Sequence, residues 1–126
     1  MGDGKKRILV VDDEPFLLDL MLERCDEIGV TAIPAENGAE GLQKAASEKP
    51  DAIIVDNRMP GMSGMEVIAK LKSDPATQDI PVMLLSADSK QLHEAEAKKL
   101  GAYGVLMKPV KMADLKAILE GCLGGF

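Results

Sequence analysis

Asp12 and Asp13 stand side by side near the start of the chain. Asp56 ends one apolar run, Ser86 ends another, and Lys108 precedes Pro109. As a set these are three carboxylates, a hydroxyl and an ammonium, with no histidine or cysteine among them. Three carboxylates in a small pocket repel, and one is driven toward protonation unless a cation is near. An all-oxygen donor set suits Mg2+ or a similar hard ion rather than zinc. Such an ion keeps waters and bridges to phosphate oxygens, a lysine supplies a flexible point charge for a phosphate, and a serine hydroxyl donates to a further oxygen. Together the set reads as a site for a phosphoryl group, with a carboxylate available to attack it. Any one of these acids alone would read as a turn former or helix cap, and Asp13 is expected to cap the helix that follows it.

These residues are far apart in sequence, so the fold must bring them together. Five short apolar runs alternate with helical patterns: Arg7–Val11, about Val30–Ala35, Ala52–Val55, Pro81–Ser86 and about Tyr103–Met107. The first, third and fourth are continuous hydrophobic runs, as in strands covered on both faces. Pro34 suits an edge strand, because proline cannot donate to a central ladder. Pro15 fits a first helical position, and Leu18, Met21, Leu22 and Cys25 form an apolar stripe ending at Gly29. Ala39–Ser47 follows the turn signal Glu36-Asn37-Gly38. Ser63 with Glu66 is a capping box for a helix to about Lys72. A fourth helix, capped by Ser89 or Asp88, runs to Lys98–Lys99 and stops at Gly101, and Met112–Leu123 forms the last. Five strand–helix alternations with right-handed crossovers give an α/β fold, a doubly wound parallel sheet with helices on both faces. In such a sheet the site lies beyond the carboxyl ends of the strands, which is where Asp12, Asp13, Asp56, Ser86 and Lys108 fall.

The stretch IIVDNRMPGMSG (Ile53–Gly64) shows the design locally. A β-branched core strand delivers Asp56 to the sheet edge, and Pro60, Gly61 and Gly64 restrict the loop beyond it. Met59 and Met62 are expected to pack that loop onto neighbouring helices.

The chain has 126 residues, enough for one domain that buries roughly two-thirds of its unfolded surface. Residues 1–126 are expected to form that single unit, with an ordered core of about 5–123. The formal net charge is −6, which disfavours direct binding to nucleic acid or anionic lipid. Phe16, Tyr103 and Phe126 are the aromatic residues, so the core must be aliphatic and base-stacking platforms are absent. No apolar run approaches a membrane span and the N-terminus lacks a secretory signal, so a cytoplasmic protein is expected. Cys25 and Cys122 form no metal-binding or redox pattern and read as small apolar residues on helices. His93 lies in a helix rich in Glu and Lys and reads as a surface or boundary residue.

The motifs ILVVDDE, IIVDNRMPGMSG, PVMLLSA and GVLMKPV, in that order and spacing, resemble the receiver domain of two-component response regulators, the CheY-like superfamily. The match covers nearly the whole chain. The resemblance implies a flavodoxin-like (βα)5 fold with strand order 2-1-3-4-5. It implies Asp56 as the phosphoacceptor, charged by a phosphohistidine of a histidine kinase or histidine phosphotransfer protein. It implies Mg2+ held by Asp13, Asp56 and the backbone carbonyl of Arg58, with Asp12 acting through a water. Lys108 would contact a phosphoryl oxygen and Ser86 would swing in to bond it, with a Lys108–Pro109 bond that is typically cis. The protein would be no conventional enzyme, catalysing only its own phosphorylation and the hydrolysis that reverses it, and would signal through a downstream protein.

Receivers commonly carry an aromatic three residues before the lysine, where this chain has Val105. Val105 cannot act as a large rotor, so the switch at Ser86 and Val105 should differ or be weaker. Tyr103 would share that face on a regular strand, as a substitute or, by the reading favoured here, as a packed or partly exposed tyrosine near the strand start. The Arg58 side chain stands at the rim, where it would tune phosphoryl lifetime or simply be solvated. With the aromatic part of the common dimer face missing, a monomer is expected. A receiver excised from a hybrid kinase or longer regulator is the main alternative, and an unphosphorylated scaffold another. An aspartyl-phosphate phosphatase would need a second acid where Arg58 stands, and a flavin module would need aromatics to sandwich the ring.

Overall fold

The structure is a computed structural model that describes residues 4–87 and 90–125. Its strands are β1 (Arg7–Val11), β2 (Thr31–Ala35), β3 (Ala52–Asp56), β4 (Val82–Ser86) and β5 (Gly104–Met107). The helices between and after them are α1 (Pro15–Ile28), α2 (Gly38–Glu48), α3 (Gly64–Ser73), α4 (Lys90–Lys99) and α5 (Met112–Leu123). All four strand pairings are parallel, in the order β2-β1-β3-β4-β5, the doubly wound topology expected from the alternation.

Strand periodicity divides the core into two layers. Leu9 and Val11 of β1, with Ile53 and Val55 of β3, pack against Ala45 of α2, Val67, Ile68 and Leu71 of α3, and Ala97 of α4. The alternate residues Ile8, Val10 and Ile54 pack against Leu18, Met21 and Cys25 of α1 and Leu115 and Leu119 of α5. Every residue of β3 and β4 is buried. Each large aliphatic side chain so enclosed stabilises the fold by about 1.5–3 kcal/mol. The described aromatics stay out of this core: Phe16 is 76 % and Tyr103 45 % exposed. Pro34 lies on the edge strand β2, and its carbonyl accepts from Lys44 Nζ at 2.6 Å.

Element ends follow local chemistry. Gly29 closes α1 in the left-handed region, φ 102°, and Val30 spends its N–H on the Cys25 carbonyl, so β2 begins at Thr31 rather than Val30. The capping box is present: the Glu66 N–H donates to Ser63 Oγ at 3.2 Å, and the Ser63 N–H to Glu66 Oε1 at 2.9 Å. The expectation that Asp13 caps α1 is corrected. Pro15 opens that helix, Glu14 holds the cap position, and no side chain caps it; the Glu14 N–H donates instead to Asp12 Oδ1 at 3.0 Å. The expected caps Ser89 and Asp88 lie outside the described residues.

Both cysteines are free, as read from the sequence. Cys25 is buried, and burial pushes its thiol up to about 11. His93 is a boundary residue on α4. Among the described residues, no helix is long and apolar enough to cross a membrane.

Candidate functional site

The carboxyl ends of β1, β3, β4 and β5 meet at one edge of the sheet. The Asp12 N–H donates to the Ala35 carbonyl at 3.0 Å, which carries the β1–β2 pairing one residue past the strand and fixes the acid pair at its tip. The Asn57 N–H donates to the Leu85 carbonyl at 2.9 Å, so β3 holds Asp56 rigidly against β4. Ser86 pairs with Met107 across the last two strands, and its carbonyl accepts from the Lys108 N–H at 2.8 Å. The Lys108–Pro109 bond is cis.

Among the described residues, Asp12, Asp13 and Asp56 each offer one carboxylate oxygen, and these three atoms lie within 4.8 Å of one another. Asp12 is 0 % and Asp56 3 % exposed, while Asp13 opens to solvent. Lys108 reaches over them, its Nζ 2.6 Å from Asp56 Oδ1 and 3.9 Å from Asp12 Oδ2. Burial raises the Asp56 pKa above the ordinary carboxylate value; Lys108 opposes that rise and the charge of Asp13 adds to it. Burial also raises the pKa of Asp12, against the hydrogen bond from the Glu14 N–H, and the charge of Asp56 adds to the rise. Asp12 Oδ2 is buried without a hydrogen-bond partner. Three carboxylates thus crowd around Lys108 in a desolvated pocket, a setting in which oxygen-rich sites take up a hard divalent cation.

The loop after β3 is held by its glycines. Gly61 has φ +84°, and the Met62 N–H donates to the Pro60 carbonyl at 3.0 Å. A Cβ at Gly64 would run into the Asp56 carbonyl oxygen and stand 2.8 Å from Asn57 Cα. The start of α3 therefore presses directly on the backbone that carries Asp56. Met59 is buried in the core and Met62 packs against it, as the sequence suggested. Arg58, two residues after Asp56, is exposed.

The structure brings Asp12, Asp13, Asp56, Ser86 and Lys108 to one edge, with Ser86 buried. Val105 is buried in the layer of α2, α3 and α4. Tyr103 precedes β5, whose first residue pairs with Met83, and so lies at the opposite end of the strand from Ser86 and its partner Met107. A Cβ at Gly121 of α5 would stand 2.6 Å from the Tyr103 hydroxyl. Tyr103 is the partly exposed tyrosine near the strand start that the sequence favoured. Sequence reasoning did not connect Lys108 with the apolar residues that line a pocket with it: Leu17, Leu20, Met21, Leu85 and Val110. Their hydrophobic spacing signals burial but not which polar group they border.

Comparison with known proteins agrees with this geometry. The family model for the response regulator receiver domain matches residues 8–120. Protein PilH of Pseudomonas aeruginosa is 33 % identical over 119 residues, covering 94 % of this chain and 98 % of PilH. The phosphate regulon transcriptional regulatory protein PhoB of the same organism is 32 % identical over 118 residues, covering 94 % of this chain and 52 % of PhoB. This chain therefore spans about half the length of that relative. The chemotaxis protein CheY4 of Vibrio cholerae superposes with a TM-score of 0.88 at 27 % identity, covering 94 % of this chain and 99 % of that one.

Proposed function

This chain belongs to the response regulator receiver domain family, and from that membership we propose that it is a phosphoacceptor switch charged at Asp56. The observation that carries the reading is the Asp56–Lys108 contact of 2.6 Å inside a cluster of three carboxylates. The phosphoryl donor is a phosphohistidine of a histidine kinase or phosphotransfer protein. An Asp56 oxygen forms the new P–O bond as the P–N bond breaks, and the bonding electrons leave with the imidazole nitrogen.

Asp13, Asp56 and the Arg58 carbonyl are the proposed Mg2+ ligands, with Asp12 acting through a water. The buried Asp12 Oδ2, which accepts no hydrogen bond, and the all-oxygen donor set fit that ion. Bound there, Mg2+ would offset the crowded carboxylates and draw charge from the phosphoryl oxygens. Lys108 supplies a second positive charge to those oxygens, and the Ser86 hydroxyl closes on one of them. Moving a switch from mostly off to mostly on takes about 5.5 kcal/mol of differential stabilisation, to which charge-assisted bonds of this type contribute. With Val105 in place of a large rotor, the change at α4, β5 and α5 is carried by smaller side chains and read by a downstream protein. The reading further takes residues 1–126 as one receiver unit, monomeric and cytoplasmic, with no turnover beyond its own phosphorylation and dephosphorylation. Arg58, where an aspartyl-phosphate phosphatase would carry its general acid, disfavours that alternative.

Intact mass after incubation with Mg2+ and acetyl phosphate tests the reading. One added phosphoryl group is expected in the wild type, none in Asp56→Asn, and none after chelation. No gain in the wild type, with Mg2+ binding established, would point to a scaffold or to a receiver that accepts only from a protein donor.

A further inference from the structure

Lys108 sits in two environments at once. Its ammonium is 2.6 Å from Asp56 Oδ1. Its side chain also borders a mostly apolar pocket of about 50 Å3, partly open to solvent and lined by Leu17, Leu20 and Met21 of α1, Leu85 of β4, and Pro109 and Val110 beyond β5.

In this arrangement the ammonium is paired with an oxygen of the proposed nucleophile. An oxygen in an ion pair is a poorer nucleophile, and during transfer the charge to be stabilised moves outward onto the phosphoryl oxygens. The ammonium stabilises that charge best by moving from Asp56 toward it. A half-buried stem in a close-packed interior cannot re-aim without displacing its neighbours. Here the Lys108 side chain already has open space beside it. We infer that this cavity is the space the Lys108 stem uses as its ammonium passes from Asp56 to the phosphoryl group, which makes Leu20 and Val110 positioning residues for the transfer. The inference rests on the reading of Asp56 as phosphoacceptor.

The test is to fill the cavity. Val110→Ile adds one methylene, and Leu20→Phe fills more; if the second fails to fold, the first still decides. Phosphorylation by acetyl phosphate and Mg2+ should slow roughly tenfold, within the range that small misplacement of a catalytic group produces. The thermal midpoint should hold or rise, since filling an apolar void ordinarily stabilises. In a Lys108→Ala background, filling should slow the reaction no further, a coupling that a merely structural role would not generate. Unchanged rates in the filled variants, or equal slowing with and without Lys108, would overturn the inference. Should the wild type take no phosphoryl group from acetyl phosphate, the protein is a scaffold or accepts only from a protein donor, a separate outcome that these rates do not reach. Exchange broadening of the Lys108 Cε methylene on the μs–ms scale then decides: present in the wild type and quenched in Val110→Ile it supports the inference, and absent from the wild type or unchanged on filling it sinks it.

Discussion

Two partly buried lysines stand at opposite ends of the same sheet, and their surroundings differ in kind. Lys72, near the end of α3, donates to the carbonyls of Gln78 at 3.0 Å and Ile80 at 2.8 Å. Burial holds its pKa below the ordinary lysine value, with the charge of Asp79 acting the other way. Lys108 faces Asp56 and Asp12, acids whose own pKa values burial has raised. Fixed, neutral carbonyls satisfy a cation and ask for nothing more, so Lys72 staples the 74–80 loop to α3. Crowded carboxylates keep an excess of negative charge after one lysine has been paired with them. The same side chain is thus a brace at one end and part of a reactive centre at the other, and its neighbours decide which.

Replacing each lysine separates the two roles most sharply. Lys108→Ala should lower the rate of phosphoryl gain by about 100-fold, the usual loss on removing one transition-state donor. Lys72→Met should leave that rate within about twofold but weaken the fold by about 1–2 kcal/mol, because two carbonyls lose their donor. Rate by intact mass and stability by urea unfolding, taken on both variants, check the contrast. A Lys72 variant as slow as the Lys108 variant would break it.

Glycines at the two ends extend the same comparison. At Gly64 a new Cβ meets the backbone of Asp56 and Asn57, which cannot yield without moving the nucleophile. Gly64→Ala should cost about 2–3 kcal/mol, in the overpacking range, and should slow phosphorylation as well. At Gly101, φ +106°, the obstructing atom is Lys72 Cγ at 2.9 Å, part of a flexible stem. Gly101→Ala should cost about 1–2 kcal/mol of backbone strain and spare the reaction. Equal rates in the two variants would remove the claim that Gly64 sets the position of Asp56.

What the sequence revealed and what it hid follow from the range of the interactions involved. The strands were legible because Arg7–Val11, Ala52–Val55 and Pro81–Ser86 are continuous apolar runs, and the gathering of acids followed from where those runs stop. The capping box was legible because Ser63 and Glu66 act within one turn. Only the cap on α1 was misread, because a residue just before a helix was assumed to cap it: Glu14 holds that position, and its N–H is taken by Asp12. The place of Asp13 beside Asp12 and Asp56 was legible from the strand ends. The cavity beside Lys108 was invisible because it depends on how α1 docks against the segment after β5, which no local pattern encodes. Tyr103 shows the limit of periodicity: two residues from Val105 it would share a face on an ideal strand, yet β5 begins only at Gly104.

The smallest effect contrasts acids at the site with an acid just outside it. Burial raises the pKa values of Asp12 and Asp56, whereas the Ser63 N–H holds the exposed Glu66 carboxyl below its ordinary 4.5. A lowered folded-state pKa means the Glu66 contribution to stability is fully present above about pH 4.5 and is lost as the pH falls through the lowered value. Ser63→Ala should cost about 1 kcal/mol at neutral pH, as loss of a side-chain cap usually does. Glu66→Ala should be less stable than the wild type at neutral pH, and that gap should close on acidification because the wild-type carboxylate is then protonated. Urea unfolding of the wild type and Glu66→Ala at neutral and strongly acidic pH measures the gap directly. A gap that stays constant would mean that Glu66 stabilises α3 through its packing or helix propensity and not through its charge.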